Sequence, residues 1–437
     1  MEGERPANVL YGQAGGVTAV INASAYGVIQ GVRRHRDRFG RIYAAREGII
    51  GALREDLLDL EREEAATLDA LRHTPGGAFG ACRYDLGPLE THHHQYERLL
   101  EVFAAHDIGY FFYNGGGGSM VTAEKVHVAA QQMGYPLTVM GIPKTIDNDL
   151  AGTDTSPGFG SAAKYVATSV REAALDVASM AESSTKVFIM EVMGRHAGWL
   201  AAASGLAREQ REDAPHLILF AEHPFHRLEF IQRVQETVDR VGYCVVVASE
   251  GLRDPDGRLL SVAEGSDVED WIQLGGVAPN LAEMVRRDLG YKVHWALPDY
   301  LQRSARHLAA ATDVEQAVAV GERAVELAVA GENGRMPVIR RESDEPYEWS
   351  VDAVDLARIA DVETTVPEAF ISEDGYHITE AARRYLRPLI AGEAHPPYAG
   401  GLPDYARLEG FPVERTLPAY ELDEQVAPQK APGKGEG

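Results

Sequence analysis

Apolar residues come in short bursts, each closed by glycines and followed by a stretch of helical spacing. Val9–Tyr11, Tyr110–Tyr113 and Val187–Glu191 are three such bursts. They lead into "GQAGGVTAVINASAYGVIQGV", with a helix from near Thr18, into "NGGGGSMVTAEKVHVAAQQMG" and into "VMGRHAGWLAAASGLA". "YPLTVMGI", "PHLILF" and "GYCVVVASEG" add further strands, the last two separated by the helical "FHRLEFIQRVQETVDRV". Strands that are apolar throughout, rather than at every second position, belong to sheets covered on both faces. Their alternation with helices predicts an α/β fold with a largely parallel sheet, and ligands of such folds sit beyond the carboxyl ends of the strands.

The rhythm loosens in the last ninety or so residues. "HITEAARRYLRPLIAGEA" predicts a helix and "HPPYAGGLPDY" a loop, while "QVAPQKAPGKGEG" has the composition of a disordered tail. The expected organisation is an N-terminal α/β domain over 1–150, a second over 151–345 whose chain crosses back near 295–330, and a C-terminal extension over 346–437.

Charge narrows the partners. Lysine plus arginine number 42 against 66 acids, a net of −24, and such a surface repels a nucleic-acid backbone. Two distant cysteines, Cys82 and Cys244, cannot build a disulfide framework or a zinc site, so a reduced, cytoplasmic setting is expected. The charged start "MEGERPANVL" is no signal peptide, and no apolar run is long enough to span a membrane.

The candidate chemistry lies where strands end. In "NGGGGS" four glycines, Gly115 to Gly118, let a ligand approach the backbone, and Ser119 is a natural N-cap for the next helix. The dipole of that helix favours an anion. No Gly-Lys-Ser/Thr follows, so the run is not a P-loop, and the full dinucleotide fingerprint is missing. "YGQAGG", with Gly15 and Gly16, is a weaker copy. "PKTIDNDL" sets Lys144, Asp147 and Asp149 at the exit of a buried strand. Two carboxylates two residues apart in an extended turn share one side. One suits a proton acceptor and the other a magnesium ligand, with Lys144 as a point charge for a phosphoryl group, although taken alone the stretch reads better as a helix-capping Asx turn. Arg195 and His196 in "EVMGRHAGW", Glu250 in "SEG", and Arg303 and His307 in "PDYLQRSARH" stand at other strand exits or on a helical face. Taken singly, each reads more readily as solvated surface. His92, His93 and His94 are adjacent on a helical pattern and read as a solvated segment, not a metal site.

Taken together, "GGGGS", "PKTIDND", "EVMGRHAGW", "SEG" and "YLQR" resemble the 6-phosphofructokinases in order and spacing from about residue 8 to 330. The likeness is strongest to the bacterial branch that usually uses pyrophosphate. It implies two Rossmann-like domains with the active site at the strand ends in the cleft between them, and Mg²⁺ as cofactor. It also implies fructose 6-phosphate as substrate and a homo-oligomer, a dimer or tetramer. By the resemblance, Asp147 takes the proton of the sugar's C1 hydroxyl, with Lys144, Asp149 and Arg195 supporting it, and Asp149 orients the metal. Gly15, Arg83, Gly116, Gly117, Gly118 and Ser119 face the phosphoryl donor. Thr145, Asp147, Met193, Gly194, Arg195, Glu250, Tyr300 and Arg303 hold fructose 6-phosphate, helped by Lys186 and His294, with Lys186 a candidate for contact with a neighbouring subunit. His294 stands where many relatives carry arginine. Relatives also carry acids where this chain has Gly117 and Gly118. An acid at the second position blocks the α-phosphate of ATP, so Gly118 leads to the expectation that ATP is the donor, with pyrophosphate as the alternative. A sugar-phosphate-binding protein without catalysis and a nicotinamide-dependent oxidoreductase are the competing functions.

Overall fold

The computed structural model describes residues 6–261, 276–359 and 362–423. Its core is two sheets. The first is built from β1 (Asn8–Gln13), β2 (Ile42–Ala45), β3 (Leu57–Asp59), β4 (Ile108–Gly115) and β5 (Thr138–Pro143). The second uses β6 (Val187–Val192), β7 (Leu217–Leu219), β8 (Cys244–Ser249) and β9 (Val293–Ala296). The chain then returns to the first sheet with β10 (Arg335–Asp344) and β11 (Tyr347–Asp355). The orders are β11-β10-β5-β4-β1-β2-β3 and β7-β8-β6-β9. The second sheet is parallel throughout, and in the first only the edge pairs β2–β3 and β10–β11 run antiparallel.

The apolar strands are covered as their composition requires. In the first sheet, Val9, Tyr11, Phe112, Met140 and Ile142 face the helices Ile21–Arg34 and Ala311–Val329. The alternate residues Leu10, Phe111, Tyr113 and Val139 face the helices His93–Ala105 and Gly117–Gln132. Val245 and Val247 of the second sheet pack on the helix Phe159–Met180, and Cys244 and Val246 on Arg227–Val241 and Val277–Leu289. Each such side chain contributes roughly 1.5–3 kcal/mol by leaving water.

Chain order positions the site. From β1 the chain moves to β2 on one side, and β4 lies on the other. The strand order therefore reverses between β1 and β4, where a crevice opens at the carboxyl ends. Gln13 is level with Asn114 and Gly115 with Pro143, so the loops after β1, β4 and β5 leave the sheet side by side.

The boundary drawn at residue 345 falls in the turn of the β10–β11 hairpin, whose last pair is Asp344 with Tyr347. Within the remaining stretch, the expected helix is Glu380–Leu386, capped by Thr379. Residues 409–417 run along β3, where Asp59 N–H donates to Phe411 O at 2.9 Å and Glu55 accepts from Thr416 and Leu417 N–H at 2.7 and 2.9 Å. The expected disordered tail, Gln425–Gly437, lies outside the described residues. Among these, no helix is long and apolar enough to cross a membrane, and both cysteines are free and buried.

Candidate active site

β5 ends at Pro143, and Lys144 keeps the chain on β4 by donating its N–H to Gly115 O at 3.0 Å. Its side chain is 3% exposed, and Nζ reaches across to donate to Gly16 O. Thr145 turns the chain away, its hydroxyl accepting Asp147 N–H at 3.1 Å. The next turn is bent, not extended as the sequence suggested. Asn148 has a φ of 53°, in the left-handed region that asparagine tolerates best after glycine. Its side chain fixes the bend, accepting Ser156 N–H at 3.0 Å and donating to the Tyr385 hydroxyl at 3.0 Å.

The bend still sets both aspartates in one field. Burial, then the charges of Asp149, Glu250 and Glu363, push Asp147 up to about 7, against the pull of Lys144. Burial lowers Lys144 to about 8, helped by Arg303 and Arg83 and opposed by Asp147 and Asp149. Asp149 is raised by burial and by Glu363, and the Thr145 hydroxyl and Lys144 pull it back. The buried Asp149 Oδ1 has no hydrogen-bond partner.

Positive charge gathers at the first glycine turn. Gly15, at a φ of 71°, donates its N–H to Cys82 O at 2.8 Å, which brings Arg83 alongside. A Cβ on Gly16 would lie 2.6 Å from Arg303 Nη1 and 3.7 Å from Arg83 Nη2. Arg303 itself lies over the Tyr300 ring at 3.8 Å. Three cations thus surround one bare turn beside Asp147, an arrangement suited to phosphate oxygens.

The second glycine turn is open. The helix after β4 starts at Gly117, with Gly116 as its N-cap. Ser119 is therefore not the cap expected from sequence: it sits within the first turn, and its Oγ fills the place of a side chain on Gly115, 2.1 Å from where a Cβ would stand. Around Gly116, Gly117 and Gly118 a Cβ would meet nothing nearer than 3.5 Å. Free first-turn N–H groups and the helix dipole make this an anion cradle.

The second sheet supplies the facing wall. Met193 N–H donates to Gln302 Oε1 and Gly194 N–H to Glu250 Oε1, both at 3.2 Å. Gly194 has a φ of 136°, and Ser249 Oγ donates to its carbonyl at 2.7 Å. Arg195 is exposed and its charge bears on Glu250. The influence of Glu250 on Asp147, and of Arg303 on Lys144, brings both sheets to one site.

Lys186 and His294 lie elsewhere in the chain. Lys186 precedes β6, bonded through its N–H to Lys292 O, and His294 pairs with Phe188. At about 3.3 Å per residue, Lys186 lies roughly 20 Å back along β6 from Val192. Both therefore sit toward the far end of the second sheet from Gly194. The three adjacent histidines also stand apart, with His94 bonded to Asp423 at 2.8 Å.

Sequence reasoning missed Asn148, Gln302 and Glu363. Glu363 pairs with His196 at 2.9 Å and bridges Leu150, and Thr364 N–H donates to Asp149 O at 2.8 Å. Asn148 carried one signal, as asparagine between two acids favours a left-handed turn. "VETTV" around Glu363 carried none.

A carboxylate raised toward neutrality, a buried cation beside it and a bare helix N-terminus at the mouths of two largely parallel sheets form an arrangement suited to phosphoryl transfer. The phosphofructokinase family matches residues 8–328, and the chain belongs to that family. Pyrophosphate--fructose 6-phosphate 1-phosphotransferase of Halomonas elongata is 59% identical over 95% of this chain and 99% of its own. The enzyme of that name from Methylococcus capsulatus is 57% identical over 94% and 98%. The crystal structure of pyrophosphate-dependent phosphofructokinase from Marinobacter aquaeolei superposes with a TM-score of 0.87 at 54% identity, covering 95% of this chain and all of that one. These relatives overturn the expectation of ATP as donor. Gly118 removes a side chain from the cradle, but these relatives, alike over almost the whole chain, are named for pyrophosphate.

Proposed function

We propose that the chain transfers a phosphoryl group from pyrophosphate to the C1 hydroxyl of fructose 6-phosphate, giving fructose 1,6-bisphosphate and orthophosphate. Asp147 accepts the C1 proton, the freed oxygen bonds to the nearer phosphorus, and the bridging P–O bond breaks with its electrons on the leaving orthophosphate. The observation that carries this reading is the carboxyl of Asp147 held at about 7 beside the buried Lys144. A base tuned near neutrality accepts a proton on the way in and returns it when the reaction runs backward. Lys144 and Arg195 stabilise charge on the moving group. Gly15, Arg83, Gly116, Gly117, Gly118 and Ser119 form the donor side. Thr145, Met193, Gly194, Arg195, Glu250, Tyr300 and Arg303 form the sugar-phosphate side.

Asp149 is the group that fits magnesium, because its buried Oδ1 lacks a partner. Magnesium takes one or two protein carboxylates and completes its shell with substrate phosphates and water. That accords with the absence, among the described residues, of any group of three or more candidate metal ligands. When bound, it neutralises charge on the donor oxygens.

Lys186 and His294 join the sugar site only if a second copy brings them there. The edge strand β9, with Trp295 at 42% exposure and Leu297 just beyond its end at 41%, supports such a pairing. A monomer in solution with full turnover would overturn it. The donor is tested by coupled assay of the chain with fructose 6-phosphate, magnesium and each donor in turn. Product is expected from pyrophosphate; its absence, with product from ATP, overturns the reading.

A further inference from the structure

Gly118 leaves the outer face of the cradle without a side chain of its own, yet that space is not neutral. The point where a Cβ on Gly118 would stand lies 3.9 Å from Asp85 Oδ1, and no other atom is recorded within 4 Å of it. Asp85 reaches this place from a different strip of chain. Ala14 bridges Cys82, Cys82 O accepts the Gly15 N–H, and the chain then runs out beside the helix at Gly117, with Tyr84 buried between the exposed Arg83 and Asp85. The Asp85 charge is felt at Tyr113, on the strand leading into the cradle. A carboxylate there is also favoured by the positive end of the helix.

This placement bears on donor choice. Pyrophosphate has two phosphoryl groups; a nucleoside triphosphate has a third that must continue outward past the second. A side chain on residue 118 would meet that third group directly. We infer that Asp85 does so in this chain: its carboxylate stands over Gly118, repels the third phosphoryl group of a nucleoside triphosphate, and so selects pyrophosphate. The inference rests on the pyrophosphate reading above and explains how the bare cradle is compatible with it. A phosphoryl group brought close beside a like charge at a protein surface is disfavoured by about tenfold or more.

The test compares kcat/KM for pyrophosphate and for ATP in the full chain, with fructose 6-phosphate and magnesium saturating. The variants are Asp85→Ala, Asp85→Asn, Gly118→Asp and the double variant Asp85→Ala/Gly118→Asp. The ratio of ATP to pyrophosphate efficiency is expected to rise at least tenfold in Asp85→Ala and in Asp85→Asn. The asparagine keeps the shape, so it decides the matter if the alanine variant misfolds. The double variant should bring the ratio back to that of the parent. A parent that uses pyrophosphate, with both Asp85 variants moving the ratio less than twofold, overturns the role of Asp85 alone. So does a fall in pyrophosphate use with no gain in ATP use. A parent that uses only ATP, or neither donor, overturns the proposed function and this inference with it.

Discussion

The molecule contains two glycine turns of the same kind, one after β1 and one after β4, and they are put to opposite uses. At Gly16 the missing side chain is replaced by the protein's own cations, with Arg303 Nη1 only 2.6 Å from the absent Cβ. At Gly117 the nearest atom to the corresponding point is a leucine methyl 4.0 Å away. The first glycine admits a neighbour; the second leaves room for a visitor. Glycine in a strand-to-helix turn therefore does not by itself mark ligand space, and what fills the vacated volume decides between the two roles.

That contrast can be broken in three ways, from the largest effect to the smallest. Asp147→Asn removes the proton acceptor on the crowded side, and turnover should fall about a thousandfold with the fold unchanged by circular dichroism. Retained turnover would remove Asp147 from the chemistry. Gly16→Ala forces the Arg303 tip aside by about an ångström, so KM for a phosphorylated substrate should rise on the order of tenfold or more. In contrast, Gly117→Ala should raise only the donor KM, while the fold gains about 0.5 kcal/mol from the stiffer unfolded chain. Equal effects of the two alanines would erase the distinction between the turns. The mildest test is pH. Asp147 must be ionised to accept a proton, so the forward rate should drop as pH falls through about 7. Lys144 must stay charged, so it should drop again as pH rises through about 8. In the reverse direction Asp147 must carry the proton, and the acid-side limb should invert. A forward profile flat from pH 6 to 9, an interval of about three units around ordinary histidine and cysteine values, would contradict both assignments.

Local pattern made much of this legible. The apolar bursts gave β1, β4, β5, β6 and β8, and "KTIDND" lay at the mouth of a strand as its composition suggested. Side-chain periodicity and turn chemistry are properties of neighbours in sequence, which is why they survive without a structure. Long-range relations do not. β10 falls inside the stretch assigned to the second domain, and although a crossing back near 295–330 is expected, nothing in the sequence of β10 and β11 says that they form a hairpin on the edge of the first sheet. Asp85 and Gly118 are 33 residues apart, and long-range contacts bring them together: the bridge between Ala14 and Cys82, and Lys125 Nζ on the helix of Gly118 donating to Leu86 O at 2.6 Å. Glu363 strengthens the field on Asp147 from a segment with no motif. The donor expectation, drawn from Gly118, is overturned by whole-chain relatives named for pyrophosphate, which no single position of the cradle foretells.

The return of β10 and β11 to the first sheet has a consequence for how the chain is made. Among the described residues, the strands of the second lobe follow one another from Val187 to Ala296 with no strand of the first sheet between them. Those of the first lobe do not: the β5 edge stays unpaired until Arg335 has been added. During synthesis from the amino end, the second sheet can close while the first still has an open flank. The lobe that begins first is completed last.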